Sequence, residues 1–371
     1  MYQVIAFEGE PARVADFLAV PHRIYRGDPR WIPTFDAVDR RDMLGQHPLG
    51  AILERRHFLA MRQGAIVARA TAFLNTAVHA DGAPVGTVGN FEADNDPDAV
   101  RAMLEACFAW HRERGVKTVW GPMNGSLWTP NRFMIRGFDD MPFYGEPYNP
   151  PYYPELFAFA GFAPVKRWNS VFTDPAATRD MAEKTRPRHD AALAAGYRFR
   201  PIDIKKGFLT DLLELRRLVV DAFSGFTGFH EISEQAFVDL YGSIRGIAIP
   251  ELIQFLHDPA GEIVGYLCML PDFPRGIRAM RGRADWLGKL RFLLARGRPS
   301  SYVALYLGIT RAEQARRSGA GGALAHLGCH LAARDGVTLV SALMAEGSFA
   351  RAWSRGHVAR THEYELYQKS L

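Results

Sequence analysis

Apolar positions in the first half of the chain fall into short runs separated by helical stripes. Val14, Phe17 and Leu18 follow Glu10-Pro11 at helical spacing, and proline opens helices readily, so a helix is predicted there. The apolar runs 57–61 and 66–74 flank Gly64 and read as a hairpin. Residues 85–92 read as a strand. Val100, Leu104 and Phe108 after Pro97 share one helical face, and 116–120 read as a strand again, so a β-α-β crossover follows the hairpin. After a long aromatic loop, 152–162 predict a short helix ending at Gly161-Phe162, and 166–172 a closing strand.

The second half repeats this order. A strand is predicted over 197–204, helices over 209–222 and 233–244, and strands over 252–256 and 263–270 around the turn Asp258-Pro259-Ala260-Gly261. A basic stretch follows, then strand 302–309, helix 322–333, strand 338–343, helix 349–354 and strand 361–368. The polar stretch 174–195, with Pro175 and Pro187, is the best boundary. The expected organisation is mixed α/β, with a first domain over 1–174, a linker over 175–196 and a second domain over 197–371. Each holds a mixed, mostly antiparallel sheet flanked by helices.

Length and composition agree with two packed cores: 371 residues, 48% apolar, 12% aromatic and 23% charged. The net charge of +5 is local. Residues 274–300 hold seven arginines and Lys289 against Asp285, a charge of +7 that leaves −2 for the rest. Cys107, Cys268 and Cys329 are scattered without pairing or metal-ligand spacing and fit reduced thiols. No apolar run nears the ~18 residues of a membrane span. A cytoplasmic location is expected, at the inner face of the cytoplasmic membrane if the basic stretch binds there.

The chemistry points to the stretch between strand 302–309 and the next helix, which reads Glu313-Gln314-Ala315-Arg316-Arg317-Ser318-Gly319-Ala320-Gly321-Gly322. Glycines before a helix N-terminus let backbone amides close on a pyrophosphate, and arginines add charge-assisted donors. A flexible strand-to-helix turn is the bland alternative. The stretch resembles motif A of the GNAT acyltransferases, with Arg316, Gly319 and Gly321 filling its pattern. That resemblance implies two tandem GNAT-like domains with acyl-CoA as co-substrate and no metal. It implies acyl-CoA contacts from Leu307, Ile309, Arg316, Arg317, Ser318, Gly319, Ala320, Gly321, Gly322 and Ser348. It also implies a splayed or bulged strand near 305–307 that offers an amide to the thioester carbonyl. The matching junction in the first half, Glu92-Ala93-Asp94-Asn95-Asp96-Pro97-Asp98, is acidic and would repel a pyrophosphate, so one acyl-CoA site is expected. The first-half motifs Pro21 to Pro33 (Tyr25-Arg26-Gly27-Asp28-Pro29-Arg30-Trp31-Ile32-Pro33), Gly121-Pro122-Met123-Asn124, Gly137-Phe138-Asp139 and Pro147-Tyr148-Asn149-Pro150-Pro151-Tyr152-Tyr153 resemble a bacterial tandem-GNAT N-acyltransferase family. That group includes ceramide synthases, which acylate a sphingoid amine.

GNAT enzymes often use a glutamate base and a tyrosine acid, but Val303 stands at the first position, and Ala352 and Trp353 at the second. The remaining catalytic candidates are Glu346, Tyr306, Asp272 and Tyr364, each with a structural hydrogen-bonding role as its alternative. Phe229, His230, Asn149 and Tyr152 are candidates for substrate contact, against packed-loop roles. His326 and His330 have two-His metal spacing but no third ligand, and a solvated helix face is the expectation. Within 274–300, Trp286, Leu290, Leu293 and Leu294 share one helical face with a basic rim. That pattern suits either peripheral contact with an anionic membrane or a helix packed on the first half. Two functional classes follow. One is an acyl-CoA-dependent N-acyltransferase acting on an amine by direct attack in a ternary complex; the other is a non-catalytic acyl-CoA sensor. Aliphatic rather than aromatic residues among the arginines argue against nucleic acid.

Overall fold

The computed structural model of the chain describes residues 2–80, 82–226, 228–347 and 356–371. The first half runs β1 (Tyr2–Phe7), α1 (Pro11–Ile24), α2 (Asp36–Arg41), β2 (Leu53–Arg62), β3 (Ala65–Ala80), β4 (Ala83–Ala93), α3 (Pro97–Arg112), β5 (Thr118–Gly121), β6 (Phe133–Arg136), α4 (Tyr153–Phe159) and β7 (Ala163–Thr173). Helix α5 (Pro175–Ala194) leads into β8 (Arg198–Pro201), α6 (Phe208–Phe223), α7 (Glu234–Tyr241), β9 (Ile253–His257), β10 (Ile263–Asp272), α8 (Pro274–Met280) and α9 (Trp286–Ala295). The second half closes with β11 (Ser301–Ile309), α10 (Arg311–Arg316), α11 (Ala320–Asp335), β12 (Thr338–Ala345) and β13 (Arg360–Ser370). The expected helix 349–354 and Ser348 lie outside the described residues.

The mixed α/β class and the repeat are both present, yet the strands form one sheet, in the order β1-β2-β3-β4-β5-β13-β7-β12-β11-β10-β9-β8, with β6 on β13. Pairing is antiparallel except for β4 with β5 and β11 with β12, the two junctions bridged by the crossover helices α3 and α11. The halves exchange their last strands. β13 lies between β5 and β7, while β7 pairs with β12. Edge amides and carbonyls need partners, so each half satisfies β5 or β12 with a strand from the other. A shared core reinforces this: Leu49 and Trp128 of the first half pack with Phe208, Leu212, Leu215 and Phe237 under β9 and β10.

Several elements are absent from the pattern reading, among them α2, β6, α8 and α10, and two more bear on the sheet and the boundary. Tyr2–Phe7 is an edge strand on β2. Residues 175–194, expected as part of a linker, are helical: Asp174 accepts from the Ala177 amide at 2.8 Å, and Pro175 occupies the first turn. The helix buries Thr178, Met181, Ala182 and Thr185 and leaves most of its polar residues exposed, so its composition reads as that of a linker.

Candidate acyl-CoA site

β11 pairs with β10 along its length, but with β12 only at residues 301–304. Beyond Ala304 the pairing with β12 stops, and the β12-side edge of 305–309 has no strand partner among the described residues. The register against β10 slips as well: Cys268 opposes Tyr306 and Met269 opposes Ala304, so Leu305 is the extra residue of a bulge. The bulge changes which way the side chains pack. Tyr302, Ala304 and Ile309 join the core under α11, whereas Val303, Leu305 and Tyr306 join clusters on the other side.

The strand runs into the glycine-rich loop. Helix α10 is capped by the Thr310 hydroxyl, which accepts from the Glu313 amide at 3.3 Å, and it ends on Arg317 in the left-handed region at φ 52°. Gly319, at φ 83°, is the N-cap of α11 and has no side chain to cap it; the Ser318 hydroxyl accepts from the Ala320 amide at 3.2 Å, and the first turn carries no acid. A Cβ on Gly319 would meet nothing within 4 Å, and one on Gly321 would come no closer than 3.8 Å to Ile309, so the protein leaves the space above both glycines empty. An open helix N-terminus with that clearance fits a pyrophosphate. The lead-in has a structural task. Glu313, fully buried, holds Arg316 Nη1 at 3.1 Å and accepts from the Tyr197 hydroxyl, while Asp258 holds Arg316 from the other side at 3.4 Å. Gln314 Nε2 donates to the Ile309 carbonyl at 3.0 Å. Arg316 is thereby aimed, with its side chain 60% exposed beside exposed Arg317 and Ser318.

The same junction in the first half is closed. Asp96 caps α3 by accepting from the Ala99 amide at 3.1 Å, and it takes Arg62 at 2.7 Å and the Tyr2 hydroxyl at 2.9 Å. Asp94 is paired with Arg23 at 2.6 Å. β4 has a bulge near Asn90, but the chain itself fills the gap beside it. Met123 N donates to the Val88 carbonyl at 2.8 Å, and Asn90 and Asn124 bond each other through the Asn90 amide at 2.7 Å and the Asn124 Nδ2 at 2.9 Å. A Cβ on Gly89 would run into Asn124 Oδ1 and the Met123 carbonyl, which leaves no room for a ligand arm.

The candidate side chains are dispersed. Tyr306 stands next to the bulge against Phe223 and Tyr241; burial raises its pKa, while a hydrogen bond with Tyr241 and the charge of Arg132 pull the other way. Asp272 ends β10, buried, with its carboxylate taking the Tyr144 amide at 3.1 Å; burial pushes its pKa to about 6. It opposes Ser301, four residues from the bulge and so about 13 Å away along the strand. Tyr364 is fully buried, donating to Glu146 and lying 3.0 Å from Ser170 Oγ. Glu346 is exposed on the turn after β12.

His230 is buried between the halves. Its Nε2 lies 2.9 Å from Ser126 Oγ and 3.2 Å from Asn75 Nδ2, its Nδ1 lies 3.2 Å from the Glu231 carbonyl, and burial lowers its pKa. Phe229 packs on Trp128. Asn149 is buried and bonded to Met134, whereas Tyr152 lines a pocket of 200 Å³ with Tyr25, Asp28, Arg30, Phe138 and Tyr148, residues of three of the quoted first-half motifs. His326, expected on a solvated face, is buried against α5 with Nδ1 2.9 Å from the Ala182 carbonyl; His330 is exposed. A cleft of 660 Å³ near Thr310 is lined by Glu214, Asp221 and Glu262, with Arg217 and His257 beside them, and those acids suit a phosphate poorly.

Pattern reading missed Arg132. It sits at φ 78°, its guanidinium 4.2 Å over Trp168, with no carboxylate in ion-pair range among the described residues and its Nε unpartnered. Burial lowers its pKa to about 10, and the charge acts on Tyr306 and Tyr364. It missed the buried pair of Glu146 and His362 too, which meet at 2.7 Å. The only local signal for Arg132 was its place in the aromatic loop after Pro130.

No family model matches the chain. It is 27% identical over 317 residues to a bacterial ceramide synthase of Caulobacter vibrioides, covering 83% of this chain and 81% of that one. It is 29% identical over 139 residues to protein YghO of Escherichia coli, covering 37% of this chain and 35% of the relative. Among solved structures, a tandem GNAT protein from the clavulanic acid biosynthesis pathway matches all of this chain and 98% of its own, at TM-score 0.54 and 12% identity. The GCN5-related glucosamine N-acetyltransferase region of a fungal GH3 β-N-acetylglucosaminidase matches at TM-score 0.56 and 16% identity; this chain spans 38% of that longer protein. With two strand-crossover-strand repeats in one sheet and whole-length agreement with those structures, the chain has the tandem GNAT fold.

Proposed function

We propose that the protein is an acyl-CoA-dependent N-acyltransferase whose acceptor is a long-chain lipid amine of the sphingoid type. The observation that carries the acyl-CoA reading is the acid-free N-terminus of α11, with clear space above its glycine cap Gly319, beside aimed Arg316 and at the end of a strand whose edge is open among the described residues. The co-substrate supplies an activated thioester; the chain's part is to hold and orient it. Amides of α11 and the guanidinium groups of Arg316 and Arg317 take the pyrophosphate. The unpaired edge at 305–309 takes the pantetheine amides, and the bulge at Leu305 turns an amide toward the thioester carbonyl. The amine attacks directly. Tyr306 is the strongest candidate to protonate the leaving sulfur: it adjoins the bulge, and Arg132 supplies positive charge nearby. Asp272 is ~13 Å along the strand from the bulge, Tyr364 is engaged with Glu146, and Glu346 faces solvent, which favours structural roles for them. The lipid acceptor draws on the similarity to the Caulobacter ceramide synthase.

A thiol-release assay with acetyl-, octanoyl- and palmitoyl-CoA against sphinganine and small amines tests the reading. Release with palmitoyl-CoA and sphinganine is expected. Preference for acetyl-CoA with a small amine would remove the lipid acceptor, and tight CoA binding without turnover on any acceptor would make the protein a sensor.

A further inference from the structure

The basic insertion folds as two helices that leave the sheet at Asp272 and return at Ser301. Helix α8 is the inner one. Met280 and Gly276 are buried, and the turn after it is pinned to the first half where the Asp36 amide donates to the Gly282 carbonyl at 3.1 Å. Helix α9 lies outside it and docks through a narrow contact. Gly288 lies so close to the Arg283 backbone that a Cβ would not fit, and Phe292 packs on Phe273 and over Gly276.

That contact leaves the apolar face of α9 without a cover. Trp286 is 75% exposed, Leu290 44%, Leu293 59% and Leu294 80%. These are positions i, i+4, i+7 and i+8, one stripe of a helix. Of the two readings the sequence allows, packing on the first half is therefore not what these four side chains do. Around them Arg275, Arg278, Arg281, Lys289 and Arg298 are exposed, and Asp285 is already held by Arg283. A lone exposed leucine is ordinary, but a stripe of three leucines and a tryptophan in an insertion this rich in exposed cations is not.

We infer that α9 is a membrane-docking helix whose partner is an anionic phospholipid surface. Charge selects that partner: the insertion carries +7 in an otherwise slightly negative chain, which attracts lipid phosphates and disfavours a second copy of the same surface. The fold supplies a direction as well. β11 runs from the insertion at Ser301 to the glycine loop past Ile309, about 25 Å at strand rise, so α9 and the phosphate-binding loop belong to opposite ends of that strand. The inference stands on exposure and charge alone and does not need the acyl-transfer reading.

Flotation of the full chain without any acyl-CoA tests it, using phosphatidylcholine vesicles with and without about 30 mol% phosphatidylglycerol. The protein is expected to float with the anionic vesicles only. Trp286→Ser combined with Leu294→Ser is expected to cut the bound fraction at least about tenfold, and Lys289→Gln combined with Arg298→Gln to weaken it further as salt rises. All four side chains are exposed, so an unchanged thermal midpoint checks that the variants fold. No flotation of the parent chain, or flotation unaffected by the Trp286 and Leu294 changes, would overturn the inference. So would sedimentation showing a dimer that the same two changes turn into monomer.

Discussion

Tyr367 of β13 sits opposite Gly121 of β5, so the last strand of the chain completes the sheet of the first half. β7 makes the reciprocal pairing with β12. The two halves are consequently expected to fold as one unit. A fragment 1–174 lacks the partner for β5 and the buried Tyr364, Leu366 and Tyr367 side chains, and it should show no cooperative melt by circular dichroism. A cooperative melt of that fragment would contradict the interlocked sheet.

Asp96 caps the crossover helix of the first half with a carboxylate, where the second half has only the neutral Ser318 hydroxyl on the Ala320 amide. Asp96→Ala removes the cap and leaves Arg62 and Tyr2 without their carboxylate, at a cost of about 1–2 kcal/mol in chemical denaturation. Because that junction is closed by the chain's own residues, the KM for acyl-CoA should stay unchanged. A change in KM would place a functional ligand site in the first half.

Tyr306→Phe tests the proposed acid. It keeps the ring against Phe223 and removes the hydroxyl, so kcat is expected to fall by about 10²-fold with KM for acyl-CoA held. Tyr364→Phe should instead lower stability, since its hydroxyl is buried on Glu146. Unaltered kcat in Tyr306→Phe would reduce that residue to packing.

Asp272 gives stability a pH slope. Its pKa is about 6 in the fold, above the ~4 of an unfolded aspartate, so the native state holds the extra proton between those values. Its contribution is fully present below about pH 4 and fades as pH rises through 6, by up to about 3 kcal/mol. His362, raised by Glu146 and Asp140 against the opposing effect of burial, adds a slope of the same sign above about pH 6.5. Asp272→Asn should flatten the denaturation midpoint between pH 4 and 6 while leaving the higher-pH slope. An unchanged slope there would show that this carboxylate does not titrate in that range.

The local parts of this fold were legible because each is written in adjacent residues: the continuous apolar runs of β10 and β11, the Pro97 start of α3, the glycines before α11. Partner choice was not. The pattern of β13 reads as a strand, but nothing in Arg360–Ser370 says that it pairs with β5. Helix α5 hid behind its polar composition and two prolines. At the site, the glycine loop and its acidic counterpart could be read directly. The charge of Arg132, without a carboxylate partner among the described residues, and the meeting of Glu146 with His362 could not, because both depend on a loop of the first half closing on strands from elsewhere in the chain.

One acyl-CoA site, opened by Gly319, is expected per chain. Titration calorimetry with octanoyl-CoA on the full chain and on Gly319→Val measures both parts. A valine at φ 83° is strained and its side chain enters the open cradle, so one site per parent chain and at least a tenfold weaker Kd in the variant are expected, with the thermal midpoint shifted by only a few degrees. Two sites per chain, or a folded Gly319→Val protein that binds as tightly as the parent, would contradict it.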